Sequence, residues 1–195
     1  MGDFFKDINK KKRIIRKYNS TAYFYDKRYA TIQEMKYEIA IKEFKLNRKR
    51  ILDMGCGTGL LYEYLVNSTK NYEVSKYIYI GIDISWNMLL TFKSKMSQMG
   101  HLNPILILCD IENLPIRNKT LDSVFSLTSF QNLPYIEKGI EEMLRVSKKD
   151  AELKLSVLKK ICDLVKLQTL FKSVIKNSKI INIESLEDYI ILGKK

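Results

Sequence analysis

From residue 51 onward, short apolar runs alternate with amphipathic stretches. Runs at 51–54, 77–82, 105–108, 121–127 and 152–158 have the length of buried strands. The intervening stretches 60–66, 86–99, 136–147 and 161–176 place apolar residues at helical spacing. Ser85 suits the N-cap of the second of these, and Gly100 suits its stop. Two last runs, 180–183 and 189–192, flank a short acidic link and predict a closing antiparallel hairpin. Strand and helix alternating in this way predict a Rossmann-like, doubly wound α/β sheet. Its seven strands are expected to be mostly parallel, with ligands at the carboxyl ends. Upstream, residues 3–18 read as a basic helix with Phe4, Phe5, Ile8, Ile14 and Ile15 as scattered apolar contacts. A second helix is predicted over 31–45. Ile32, Met35, Ile39 and Phe44 share a face there, and Thr31 with Glu34 forms a candidate capping box. The chain therefore divides into a basic helical extension, 1–49, and a core, 50–195.

Charge sharpens that division. The formal net charge is +12, from 34 Lys and Arg against 22 Asp and Glu. Residues 1–50 hold 15 basic and 6 acidic residues, whereas the remainder holds 19 and 16. The excess sits in the extension and points to an anionic partner. Cys56, Cys109 and Cys162 are odd in number, with no CxxC pair, which argues against a disulfide framework or zinc site. His101 is the only histidine, and no metal centre is expected. No apolar run is long enough to span a membrane, and the N-terminus lacks a signal-peptide core. A cytoplasmic protein is expected.

The densest chemical signal is Asp53-Met54-Gly55-Cys56-Gly57-Thr58-Gly59, directly after the first strand. Three glycines in five residues let backbone pass close to a ligand, beyond what a plain strand-to-helix turn needs. The spacing is DxGxGxG. It is neither the GxGxxG of dinucleotide-binding loops nor the Gly-Lys-Ser/Thr of a P-loop. A carboxylate at the loop entrance is unwelcome beside a pyrophosphate and welcome beside an ammonium or sulfonium.

This segment resembles motif I of the class I S-adenosylmethionine-dependent methyltransferases, of the type 11-like kind. Tyr79 to Ser85, around Asp83 and Ile84, resembles the end of that family's second strand, whose acid holds the ribose hydroxyls. Cys109 to Pro115 resembles the segment after the third strand, where Asp110 would accept from the adenine amino group and Ile111 would pack on the ring. Leu121 to Leu127 resembles the fourth strand, and Phe130 to Pro134 the loop beside the transferred methyl. The resemblance spans residues 51 to about 147 and implies S-adenosyl-L-methionine as cofactor. Its implied contacts are Asp53, Gly55, Cys56, Gly57, Gly59, Asp83, Ile84, Asp110, Ile111 and Ser126, with Tyr25 from a lid. Ser147-Lys148-Lys149-Asp150 replaces the family's usual glycine turn before strand five and reads as a surface turn.

The Asn-Pro-Pro-Tyr loop of many exocyclic-amine and glutamine methyltransferases is absent, and Ser126-Leu127-Thr128-Ser129 stands in its place. Gln131, Asn132 and Tyr135 are candidates to position the acceptor, or to cap and brace their own loop. Tyrosines 18, 23, 25, 29 and 37 among Lys and Arg suit stacked bases and phosphates, or else pack the extension onto the sheet. RNA, tRNA or rRNA, is the leading acceptor. A small-molecule acceptor of the quinone-biosynthesis kind is the alternative, and a non-catalytic binding subunit a third reading. The segment from Tyr18 through Ile32-Gln33 resembles, at a few positions, the eukaryotic small-subunit ribosomal RNA guanine-N7 methyltransferases. That group works with a small zinc-binding activator protein. The resemblance implies a similar partner at the apolar 105–108 strand, an edge that otherwise needs protection.

Overall fold

The computed structural model describes residues 2–42, 50–68, 77–99, 104–161 and 163–195. Gly100, His101, Cys162, Phe44 with the rest of 43–49, and the Phe4 and Phe5 side chains lie outside what is described. One long helix, α1 (Gly2–Ile41), precedes an alternating core. The core runs β1 (Arg50–Met54), α2 (Leu60–Ser68), β2 (Ile78–Asp83), α3 (Trp86–Met99), β3 (Ile105–Leu108), β4 (Leu121–Leu127), α4 (Ile136–Val146) and β5 (Ser147–Leu158). It closes with α5 (Leu164–Val174), β6 (Lys176–Asn182) and β7 (Asp188–Lys194). The seven strands form one sheet in the order β3-β2-β1-β4-β5-β7-β6. The first five are parallel, and β7 pairs antiparallel with both β5 and β6. The chain reverses direction across the sheet between β1 and β4. The switch point, where open α/β sheets hold ligands, therefore lies at their carboxyl ends.

Strand periodicity fixes two cores. Leu52, Met54 and Val124 face α4 and α5 in a cluster with Phe130, Met143 and Phe171. Ile51, Phe125 and Leu127 face the other way, into a cluster with Tyr37, Tyr62, Leu65 and Phe92. Adjacent strand residues point to opposite faces, so a continuous apolar run serves a sheet covered on both sides. Ser85 does cap α3, its hydroxyl accepting from the Met88 amide at 3.3 Å.

Two local expectations need correction. The extension is a single helix of 40 residues, not two. Thr31 and Glu34 are interior and exposed, so the capping box does not start a helix. No Gly or Pro interrupts residues 3–41, and the contacts of residues 18–30 with the core hold them helical. The stretch 147–150 is not a simple surface turn. It lies within β5 and forms a bulge against β4, between the pairs Leu121↔Ser147 and Ser123↔Glu152. Asp150, with φ of +61°, bends the chain there without a glycine. Among the described residues, no helix is long and apolar enough to cross a membrane.

Candidate functional site

At the carboxyl ends of β1, β2 and β4, the glycine loop and α1 border a cleft. Its wall includes Gly55, Gly57, Asp83, Ile84, Asp110, Ile111 and Tyr25. A smaller cleft continues past Gly55, Gly57, Tyr25 and Leu127 to Asp53, Cys56 and Gln33. Gly57 has φ of +54°, and a Cβ there would meet nothing within 4 Å. That bare backbone is a cradle open to a ligand.

Asp83 ties the loop together. Its Oδ2 accepts from the Gly57 amide at 2.9 Å and its Oδ1 from the Ser85 amide at 2.8 Å. Each carboxylate oxygen keeps further acceptor capacity for hydroxyl donors. Burial pushes its pKa up to about 6 against the pull of those amides. Asp53 is buried beneath the loop and accepts from the Tyr79 hydroxyl at 2.5 Å. Burial, reinforced by the charge of Asp83 and opposed by the Tyr79 bond, raises its pKa to about 7. A buried and a half-buried carboxylate, with no ion-pair partner among the described residues, favour a ligand that brings positive charge.

The other predicted residues separate by position. Gly59 lies behind the loop with φ of +85°, and a Cβ there would overlap the Phe92 ring. Its role is to let α2 and α3 approach. Ser126 is fully buried, and its hydroxyl donates to the Met54 carbonyl at 3.2 Å, so it braces β4 on β1 and does not line either cleft. Of the three acceptor candidates, Asn132 lines the larger cleft, and its Nδ2 donates to the Tyr18 hydroxyl at 3.0 Å. Gln131 turns back to donate to the Thr128 carbonyl at 2.5 Å. Tyr135 points outward, its hydroxyl donating to Asp7 at 2.5 Å.

The roof comes from α1, whose inward face follows one helical stripe: Lys11, Ile14, Tyr18, Ala22, Tyr25, Gln33, Lys36, Tyr37 and Ala40. Lys11 pairs with Asp110 and Glu112, and Lys10 donates to the Leu133 carbonyl. The Asn19 side chain accepts from the Ser85 hydroxyl at 2.7 Å. Asp26 takes a hydrogen bond from Thr58 and pairs with Lys95 at 2.7 Å. Sequence reading missed Lys11, Tyr18 and Gln33 as cleft residues. Their helical register with Tyr25 (offsets of 14, 7 and 8) was the available signal.

The methyltransferase domain family matches residues 52–155. A malonyl-[acyl-carrier protein] O-methyltransferase of Buchnera aphidicola is 31% identical over 139 residues, which are 71% of this chain and 51% of that protein. The chain spans about half the length of the curated relatives it matches. Among solved structures, magnesium protoporphyrin IX methyltransferase from Synechocystis PCC 6803 superposes with a TM-score of 0.73 at 16% identity, over 95% of this chain and 97% of that one. A putative methyltransferase from Haloferax volcanii, solved with the Trm112 methyltransferase activator, gives 0.65 at 12% identity, over 91% and 96%. Together with the glycine cradle and the strand-end acids, the match places the chain in the methyltransferase domain family, among the class I S-adenosylmethionine-dependent methyltransferases.

Proposed function

We propose that the protein transfers the methyl group of S-adenosylmethionine to a nucleotide of an RNA. The cleft fits the cofactor by its donor set: acids at the ends of β2 and β3 for ribose and adenine, a bare Gly57 cradle between, and buried Asp53 beyond. When bound, the cofactor supplies a methyl group on a sulfonium, open to in-line displacement. The chain's part is alignment and exclusion of water, a gain of roughly 7–11 kcal/mol when reacting atoms are well oriented. Asn132, oriented by Tyr18, with Thr128 and Ser129 on the same wall, is the polar group at the acceptor end.

Cofactor binding is expected to strengthen with pH. Asp53 and Asp83 have pKa values raised to about 7 and about 6, above the ordinary carboxylate value. A cationic ligand favours their ionised forms, so affinity rises as pH passes through that range and binding releases protons. Without ligand the sign reverses: stability is fullest at acid pH and falls as pH rises through the same range. Calorimetry in buffers of different ionisation enthalpy measures the release at about pH 6. Proton uptake there would contradict the assignment.

One observation carries the RNA reading. The outward face of α1 exposes Lys12, Arg13, Arg16, Lys17, Lys27 and Arg28 around Tyr23 and Phe24, which are 85% and 63% exposed. Cations beside exposed aromatic rings suit phosphates and unstacked bases. RNA affinity is expected to fall more than tenfold between about 50 and 200 mM salt. Replacing Arg13, Arg16 and Lys17 by Ala should reduce the slope of log affinity against log salt by roughly 2 for single strands. No binding at low salt would reject the reading.

Specific observations also favour a small acceptor. The relatives include enzymes named for malonyl-acyl-carrier protein and magnesium protoporphyrin IX, and Lys11, Ile14 and Tyr18 of α1 line the cleft. Transfer of labelled methyl groups into RNA, protein and metabolite fractions of cells lacking the gene separates the two readings.

The edge of β3 supports a proposed partner, a small activator protein that adds a strand there. Among the described residues β3 pairs only with β2, and Ile105, Leu108, Trp86 and Leu90 stand exposed beside it. Apolar edges are ordinarily covered or paired. Coexpression with such a protein should raise solubility. Unchanged solubility and activity would count against it.

A further inference from the structure

Gln33 sits at the far end of the cofactor cleft, on the inward stripe of α1. It is 5% exposed, and its Oε1 is fully buried with no hydrogen-bond partner among the described residues. Tyr25 stands beside the same amide, and Gln33 opposes the burial-driven rise in the pKa of its hydroxyl. The Oε1 acceptor itself is unused. A buried acceptor left unpaired is costly enough that it ordinarily finds a donor. The cavity wall around it holds Asp53, also an acceptor, together with Gly55, Gly57 and Thr58. Thr58 has its hydroxyl committed to Asp26. A second acceptor beside a buried carboxylate calls for a ligand group with several N–H donors and a positive charge.

The cofactor carries one such group. Its ribose and adenine need the acids at the ends of β2 and β3, in the larger cleft. Its amino-acid end is what remains to extend past Gly55 and Gly57 toward Asp53. We propose that Gln33 is a cofactor-binding residue, whose Oε1 accepts a hydrogen bond from the α-ammonium of S-adenosylmethionine while Asp53 supplies the countercharge. The amino-acid end is then gripped between the sheet and α1, and the helix is part of the cofactor site as well as its roof. The inference rests on the cofactor alone and is independent of the acceptor.

The test uses two ligands that share the adenosine and thioether. S-adenosylhomocysteine has the amino-acid end, and 5′-methylthioadenosine lacks it. In Gln33→Met, which keeps the volume and removes the acceptor, S-adenosylhomocysteine should bind ten- to a hundredfold more weakly by calorimetry. That is the range for a hydrogen bond to a charged group. Methylthioadenosine should bind as it does to the wild-type protein. Equal losses for both ligands would mean a merely structural role, and no loss for S-adenosylhomocysteine would remove Gln33 from the site; either overturns the proposal. Should Gln33→Met fail to fold, Gln33→Glu decides alone. It puts a titrating charge at the acceptor position, so S-adenosylhomocysteine affinity should rise with pH more steeply than in the wild type. Methylthioadenosine affinity should not change in slope. Parallel slopes for the two proteins with S-adenosylhomocysteine would overturn the proposal.

Discussion

Lys36→Met should lower the unfolding free energy by about 3–5 kcal/mol, the cost of stranding a buried charge. Lys36 and Asp188 are 3% and 0% exposed, with Nζ and Oδ1 2.8 Å apart. The pair lies where α1 crosses the ends of β4, β5 and β7. Lys36 also donates to the Thr128 hydroxyl at 2.7 Å, and that hydroxyl donates to Asp188 Oδ2 at 2.9 Å. The Ser156 hydroxyl donates to the same oxygen at 2.8 Å. Among the described residues Oδ1 has no aligned hydrogen bond of its own, so its compensation is the ammonium. Removing Lys36 leaves the Asp188 side chain in the interior against two hydroxyls. Against a typical total of about 5–15 kcal/mol, that loss is large. Lys36→Met with Asp188→Leu should recover much of it, because a well-packed apolar pair often matches a buried ion pair. Urea denaturation of the wild type, both single variants and the double variant gives the coupling. A single-variant loss below about 1 kcal/mol would mean the pair contributes little to holding α1 down. The site should feel the change too. Thr128, with φ of +59°, lines the larger cleft while its side chain is drawn into this cluster.

The core was legible because its signals are local. Apolar runs of strand length, an Asp at the end of β2, Ser85 one turn before Met88, and three crowded glycines each follow from near-neighbour chemistry. The closing hairpin was legible for the same reason. Helix α1 was legible only as two separate pieces, because the residues it turns inward include Lys11, Tyr18, Tyr25, Gln33 and Lys36, polar or amphipathic side chains that serve a cleft and an ion pair. A hydrophobic pattern cannot register a stripe that is buried for chemical reasons, and Thr31 with Glu34 then mimicked a helix start. The bulge at Lys148–Asp150 was missed because its partner is distant. The Asp150 amide donates to the Lys195 carbonyl at 3.2 Å. Gly59 and Gly57 look alike in the motif, yet one faces Phe92 and the other an open cleft. Only the packing of α3 separates them. Gln131 and Asn132 are adjacent in sequence, and the short 3₁₀ turn Phe130–Asn132 sends only Asn132 to the cleft.

Asp83→Ala should weaken S-adenosylhomocysteine binding by roughly 100- to 1,000-fold, or about 3–4 kcal/mol at 1.4 kcal/mol per decade. Two losses add. The ribose hydroxyls lose a charged acceptor, with each such bond contributing about 1.5–3 kcal/mol. The Gly57 amide loses the oxygen that holds the cradle in place at 2.9 Å. Asp83→Asn keeps one acceptor oxygen and should fall between the two. Stability separates this role from plain helix capping. Burial raises the Asp83 pKa to about 6, so in the free protein its ionisation opposes folding as pH rises through that value. The alanine variant lacks that penalty. Its melting temperature relative to wild type should therefore improve from about pH 5 to about pH 8, even though the Ser85 amide loses its partner. Unchanged affinity would show that the ribose site has been misplaced. Reduced affinity with a stability deficit constant over that pH range would leave Asp83 an N-terminal brace for α3, acting on the ligand only through the loop it holds.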